Sequence, residues 1–165
     1  MGNVLVIAEH VDGTLADHTF EMLATARGLA GQLGGTVSVG LIGGSDAMVA
    51  ELGAADQVLK IGDASLANFN PEAWTAAARA LIENAGPSAV LIGHTSMGMD
   101  MTGALGASMG IPTACSCTAI EPPPRRRHRR RRRRRRRCRR QLRHERRYRP
   151  VSPGWSSAGH QRAML

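Results

Sequence analysis

The sequence predicts an α/β fold: a three-layer αβα arrangement around a parallel sheet, carried by residues 1–121. Three observations predict it. Short apolar runs of strand length alternate with longer segments whose apolar residues recur at helical spacing. The runs at residues 4–8 and 89–93 are apolar without a break, as strands buried on both faces of a parallel sheet are. Cap and turn residues such as Gly34-Gly35, Asn70-Pro71 and Gly86-Pro87 punctuate the segments. Alternation of this kind favours βαβ units and a Rossmann-like sheet covered on both faces.

The elements follow in order. Val4-Leu-Val-Ile-Ala8 is the first strand, and a loop runs from Glu9 to Asp17. A helix is expected to start near Thr19, with Glu21 in its first turn favouring the positive helix end. Met22, Leu23, Ala26, Leu29, Ala30 and Leu33 form its apolar stripe, and Gly34-Gly35 supplies the left-handed stop. Residues 36–42 read as a second strand. Ser45 can cap a short helix over 46–52, and residues 57–61 read as a third strand. Asn70-Pro71-Glu72 is a strong helix start, with a cap, a proline at the first helical position and an acid in the first turn. That helix runs through Trp74, Ala78, Leu81 and Ile82 to about Asn84. Residues 89–93 are the fourth strand, 101–110 the fourth helix, and 113–120 a candidate fifth strand.

Open sheets of this class gather ligands beyond the carboxyl ends of strands, where the strand order reverses. Two stretches fall there: the loop of residues 9–17 and the turn from Gly93 to Asp100. The turn precedes a helix whose first N–H groups are free, and Thr95, Ser96 and Gly98 could help hold an anion there. It matches neither a Walker A loop nor Gly-x-Gly-x-x-Gly, so a structural turn capped by Asp100 is the simpler expectation. His10, Asp12, His18, His94 and Asp100 could converge at the same sheet edge, yet they show no metal-ligand spacing, and solvated loop positions account for them. No Ser/His/Asp or Cys/His order suggests a nucleophile. Met97, Met99, Met101 and Met109 read as flexible core or rim packing, with an interface as the alternative. Gly103, Gly106 and Gly110 suggest close approach of that helix to the sheet or to a partner backbone. No catalytic, cofactor-binding or metal residue is assigned.

Charge divides the chain in two. Residues 1–121 hold three basic residues against twelve acidic ones, a net charge of −9, whereas residues 122–165 hold nineteen arginines against Glu145, a net charge of +18. After Pro122-Pro-Pro124 comes an arginine-rich text that cannot pack against itself, so a disordered basic tail is expected. Proline and arginine codons are what a GC-rich alanine/glycine stretch yields out of frame, and a frameshift product is the expectation. The alternative is a true tail that binds nucleic acid non-specifically, with only Tyr148 and Trp155 able to stack on bases. Cys115, Cys117 and Cys138 fit no zinc spacing, and a reduced, cytoplasmic chain without a signal peptide or membrane span is expected.

Val4-Leu-Val-Ile-Ala-Glu-His10, the helix entry Gly13-Thr-Leu…Thr19-x-Glu21, and Val90-Leu-Ile-Gly-His-Thr-Ser-Met-Gly-Met-Asp100 together resemble the alpha subunit of electron transfer flavoproteins, the FixB-like family. Gly110-Ile-Pro112 through Cys117-Thr-Ala-Ile-Glu121 continue the likeness. The resemblance implies an adenine nucleotide alpha hydrolase-like N-terminal domain, here incomplete, that packs against a beta subunit in a heterodimer. It implies an electron carrier rather than an enzyme. FAD takes electrons from acyl-CoA or other dehydrogenases toward a quinone reductase and the respiratory chain, or in some bacteria toward nitrogen fixation. That FAD is held mainly by a C-terminal domain absent from this sequence, and the AMP of many members belongs to the beta subunit, so no cofactor is expected here. Met99 stands where many members carry a basic residue and Ser116 where they often carry Asp. A sheet cut short near Glu121 should leave a bare edge and a marginal, aggregation-prone fragment.

Overall fold

The structure, a computed structural model, describes residues 2–121 and 163–164. The expectations for 122–162 and 165, the basic tail and its frameshift origin among them, lie outside the described residues. In chain order the elements are β1 (Val4–Ala8), β2 (His10–Val11), β3 (Thr14–Leu15), α1 (Asp17–Leu33), β4 (Val37–Ile42), α2 (Asp46–Glu51) and β5 (Gln57–Ile61). A 3-10 turn (Ala64–Leu66), α3 (Pro71–Ala85), β6 (Ala89–Leu91), α4 (Ser96–Met109) and β7 (Ala163–Met164) follow.

The main sheet has the order β5-β4-β1-β6-β7, and every pairing in it is parallel. Alternate residues of β1 divide the interior. Val4, Val6 and Ala8 face a core built with Leu23, Ala26 and Leu29 of α1 and with Met48 and Leu52 beside α2. Leu5 and Ile7 face the opposite core, with Trp74, Ala78, Leu81 and Ile82 of α3 and Met101 and Leu105 of α4. Two helices therefore cover each face, and all five residues of β1 are buried, which is why its sequence runs apolar without alternation. The three-layer αβα prediction holds. Because β4 lies on one side of β1 and β6 on the other, the strand order reverses between β1 and β6.

Local chemistry explains the ends of the elements. The Asn70 side chain accepts from the N–H groups of Glu72 and Ala73, both at 3.1 Å, so α3 starts where its cap predicts. Ser45 caps α2 through the Met48 N–H. Gly34, Gly86 and Gly110 close α1, α3 and α4 in the left-handed region.

Three expectations are corrected. Helix α1 starts at Asp17 rather than near Thr19, because Ala16 stands at the N-cap and its carbonyl accepts from the Thr19 N–H at 2.9 Å; the Thr19 hydroxyl accepts from the Glu9 N–H at 3.3 Å. The loop after β1 contains a hairpin, β2–β3, whose turn residues Asp12 and Gly13 have φ values of 50° and 79°. Positive φ at both central positions is what a type I′ turn requires, and Asp-Gly is a favoured pair for it. Residues 113–120 form no strand: residues 113–119 are exposed, and Ser116, at φ 56°, breaks the extended path.

Candidate functional site: the crevice between β1 and β6

The reversal in strand order puts the end of β1, the end of β6 and the start of α4 side by side. Helix α4 begins five residues earlier than periodicity predicts, at Ser96, so most of the expected turn is its first turn and a half. Its cap is Thr95, not Asp100: the Thr95 hydroxyl oxygen accepts from the Gly98 N–H at 3.0 Å. Asp100 fails as the cap because it already lies inside the helix, exposed. The early start depends on Gly98, since a Cβ there would fall on the carbonyl oxygen of Gly93.

The same Thr95 hydroxyl donates to Glu9 Oε2 at 2.7 Å. Glu9 follows β1 and is only 2% exposed, so it is a buried carboxylate set beside the first turn of α4. Its Oε1 has no hydrogen-bond partner and lies where a Cβ on Gly93 or Gly98 would approach within 2.9 or 3.0 Å. His18 of α1 brings its Nε2 to 3.2 Å from Glu9 Oε2, close enough for an ion pair but not aligned as a hydrogen bond. The carboxylate thus ties β1, α1 and α4 together across the reversal.

A helix N-terminus attracts an anion by about 0.3–1 kcal/mol, rising to about 2 when partly buried. At the start of α4 the acidic side chain of Glu9 stands beside that position, its Oε2 accepting from the Thr95 hydroxyl at 2.7 Å.

Of the five residues expected at one sheet edge, the structure brings two to a common cavity. His18 and His94 both line a space of about 800 Å³ between α1 and α4. His10, expected as a solvated loop residue, is instead buried: its Nε2–H donates to the Ile42 carbonyl at 2.7 Å and its ring packs 5.3 Å from Trp74. Asp12 sits in the exposed hairpin turn and Asp100 on the outside of α4. Among the described residues no group of three or more His, Cys, Asp or Glu could hold a metal ion. The cavity floor is Leu91, Ile92 and Gly93, and its outer wall is the irregular segment of residues 114–120. Within α4, Met101 is buried, Met99 is 51% exposed, and of Gly103, Gly106 and Gly110 only Gly106 packs tightly, against Thr113.

Sequence reasoning missed Glu9. It ends an apolar strand and was grouped with the loop, although a lone carboxylate directly after a buried strand is a signal in itself.

Fold and crevice together define a doubly wound α/β domain in which Glu9, His18 and Thr95 meet at the strand reversal, beside a cavity of about 800 Å³. The electron transfer flavoprotein domain family matches residues 4–131, and the chain belongs to that family. Its relatives include the electron transfer flavoprotein subunit alpha of Bacillus subtilis (strain 168), 34% identical over 109 residues, which are 64% of this chain and 33% of the relative. The corresponding subunit of Syntrophomonas wolfei is 31% identical over 73% of this chain and 38% of its own length. Protein FixB of Bradyrhizobium diazoefficiens is 26% identical over 72% of this chain and 34% of its own. The chain thus spans about a third of the length of the curated relatives it matches. Among the described residues no helix is long and apolar enough to cross a membrane.

Proposed function

We propose that residues 1–121 are the incomplete N-terminal domain of an alpha-type electron transfer flavoprotein subunit, a cytoplasmic electron carrier whose role here is docking rather than flavin binding. The single observation that carries this reading is the family match over residues 4–131, whose relatives are named as alpha subunits and FixB. The Glu9–Thr95 contact supports the second half of it, because it sets an acidic side chain at the strand reversal, where sheets of this topology take their ligands. In this reading FAD, the acyl-CoA or other dehydrogenases and the quinone reductase belong to the complete alpha–beta assembly. The partner of this chain is the beta subunit, and no residue of residues 1–121 is assigned to a cofactor.

The test is co-purification. The chain, mixed with a beta subunit of the same family, should elute with it as one complex in size-exclusion chromatography. Purified alone it should show no flavin absorbance. A stoichiometric yellow chromophore on the isolated chain, or separate elution of the two chains, contradicts the proposal. Nucleotide binding at the turn from Gly93 to Asp100 is the alternative, and calorimetry with AMP and ATP tests it: measurable heat would contradict the proposal.

A further inference from the structure

Cys115 and Cys117 are both exposed and unpaired, and both lie on the outer wall of the cavity between α1 and α4. They are separated by Ser116 alone. In an extended strand, residues two apart have Cα atoms roughly 6.6 Å from each other. That is the far limit of the range of about 4.4–6.8 Å that a disulfide spans, whose mode is about 5.5–6 Å. Ser116 is not extended: its φ of 56° places it in the left-handed region. Positive φ at Ser116 takes the segment off the extended path, in which that separation stands at the limit of what a disulfide spans. A non-glycine residue adopts this conformation uncommonly, and here it stands between the only two cysteines among the described residues. The Ser116 hydroxyl lies 3.4 Å from His94 Nε2, a contact that joins the turn to the loop before α4. Residues 113–119 are exposed, so low-molecular-weight reagents reach both sulfurs and the backbone has room to close a bridge.

We propose that Cys115 and Cys117 form a thiol–disulfide couple that exchanges with small disulfides of the glutathione type. One protein thiolate attacks a sulfur of the small disulfide, forming a mixed disulfide and releasing one small thiolate. The second protein thiolate attacks the protein-side sulfur of that mixed disulfide, closing the Cys115–Cys117 bond and releasing the other small thiolate. Two protein thiols are oxidised and one small disulfide is reduced to two thiols. The two protons lost by the cysteines end on the released thiolates. The bridge ties off the cavity wall, so the oxidised and reduced proteins present different surfaces at the mouth of the crevice.

The experiment uses the full chain with Cys138→Ser, which leaves Cys115 and Cys117 as its thiols. The reduced protein is treated with glutathione disulfide and followed by intact mass. The expected product has lost the mass of two hydrogens, with glutathione adducts only transient. Ser116→Gly, which keeps positive φ accessible, should close in the same way. Ser116→Pro fixes φ near −65° and should accumulate adducts instead. The proposal is overturned if the parent holds stable adducts, if it does not react, or if Ser116→Pro closes as readily as the parent. The parent result stands by itself even where a variant folds poorly.

Discussion

At the scale of single residues, Thr95 is the one whose loss should cost more than its type suggests. Its hydroxyl serves twice, accepting from the Gly98 N–H and donating to Glu9. Removing an N-cap costs about 1 kcal/mol, and stranding a buried polar atom costs about 1–3 kcal/mol more. Thr95→Ala should therefore destabilise more in urea unfolding than Asn70→Ala, which removes an exposed cap of α3, while Thr95→Ser should recover most of the loss. Equal losses at the two caps would show that the Glu9 contact contributes nothing. Two other carboxylates make a pH prediction. Asp46 is held below the usual carboxylate range by its hydrogen bond to Lys60 and then by the Lys60 charge, and Asp63 by hydrogen bonds from the Ser65 N–H and hydroxyl. A lowered folded-state value means that each stabilises the fold above its ordinary pKa of 3.8 and loses that contribution as pH falls through the lower folded value. Titration of the carboxyl carbons by NMR should find both below the ordinary value, and Lys60→Met should return Asp46 toward it while leaving Asp63 where it was.

At the scale of elements, α4 is the instructive one, since two glycines in it should respond to alanine with opposite signs. Gly98 has the backbone of Gly93 where a Cβ would go, whereas Gly103 faces open space. Helical Gly→Ala is favourable by roughly 0.5–1 kcal/mol where nothing intervenes, so Gly103→Ala should raise the melting temperature. Overpacking against a neighbour costs about 1–3 kcal/mol, and backbone cannot swing aside as a side chain can. Gly98→Ala should therefore lower the melting temperature by displacing the start of the helix from the end of β6. If both substitutions stabilise, α4 does not dock where the structure places it. The same element shows why its start was illegible in the sequence. Ser96 and Gly98 do not read as helix by propensity, and their helical state rests on the Thr95 cap.

At the scale of the whole molecule, the sheet separates two cores that touch through β1, β4 and β6 and not directly. Leu23 of α1 and Leu81 of α3 sit on opposite faces, both buried. Each Leu→Ala change should cost about 2–5 kcal/mol. Having no shared partner, the two should add to within about 0.3–0.5 kcal/mol. Their sum, about 4–10 kcal/mol, is a large part of a typical total of about 5–15 kcal/mol, so the double variant should melt well below either single variant by circular dichroism. A double variant much more stable than the sum predicts would mean that the two faces are coupled through the strands. Of the large apolar side chains exposed among the described residues, Val11, Phe20 and Met99, Met99 alone lines the cavity between α1 and α4.

By itself, the sequence determined the alternation of strands and helices, the parallel sheet and the caps at Ser45 and Asn70, because period, apolar runs and capping chemistry are local properties. It also carried the family signature at residues 4–10 and 90–100. Only the tertiary structure decided that Glu9 points inward beside α4, that Thr95 rather than Asp100 begins that helix, and that residues 113–120 leave the extended path. The inward placing of Glu9 depends on a contact between segments far apart in the chain, the Glu9–Thr95 hydrogen bond spanning 86 residues. Periodicity registers neighbours along the backbone, whereas a buried carboxylate is placed by whatever the fold brings within hydrogen-bonding distance of it.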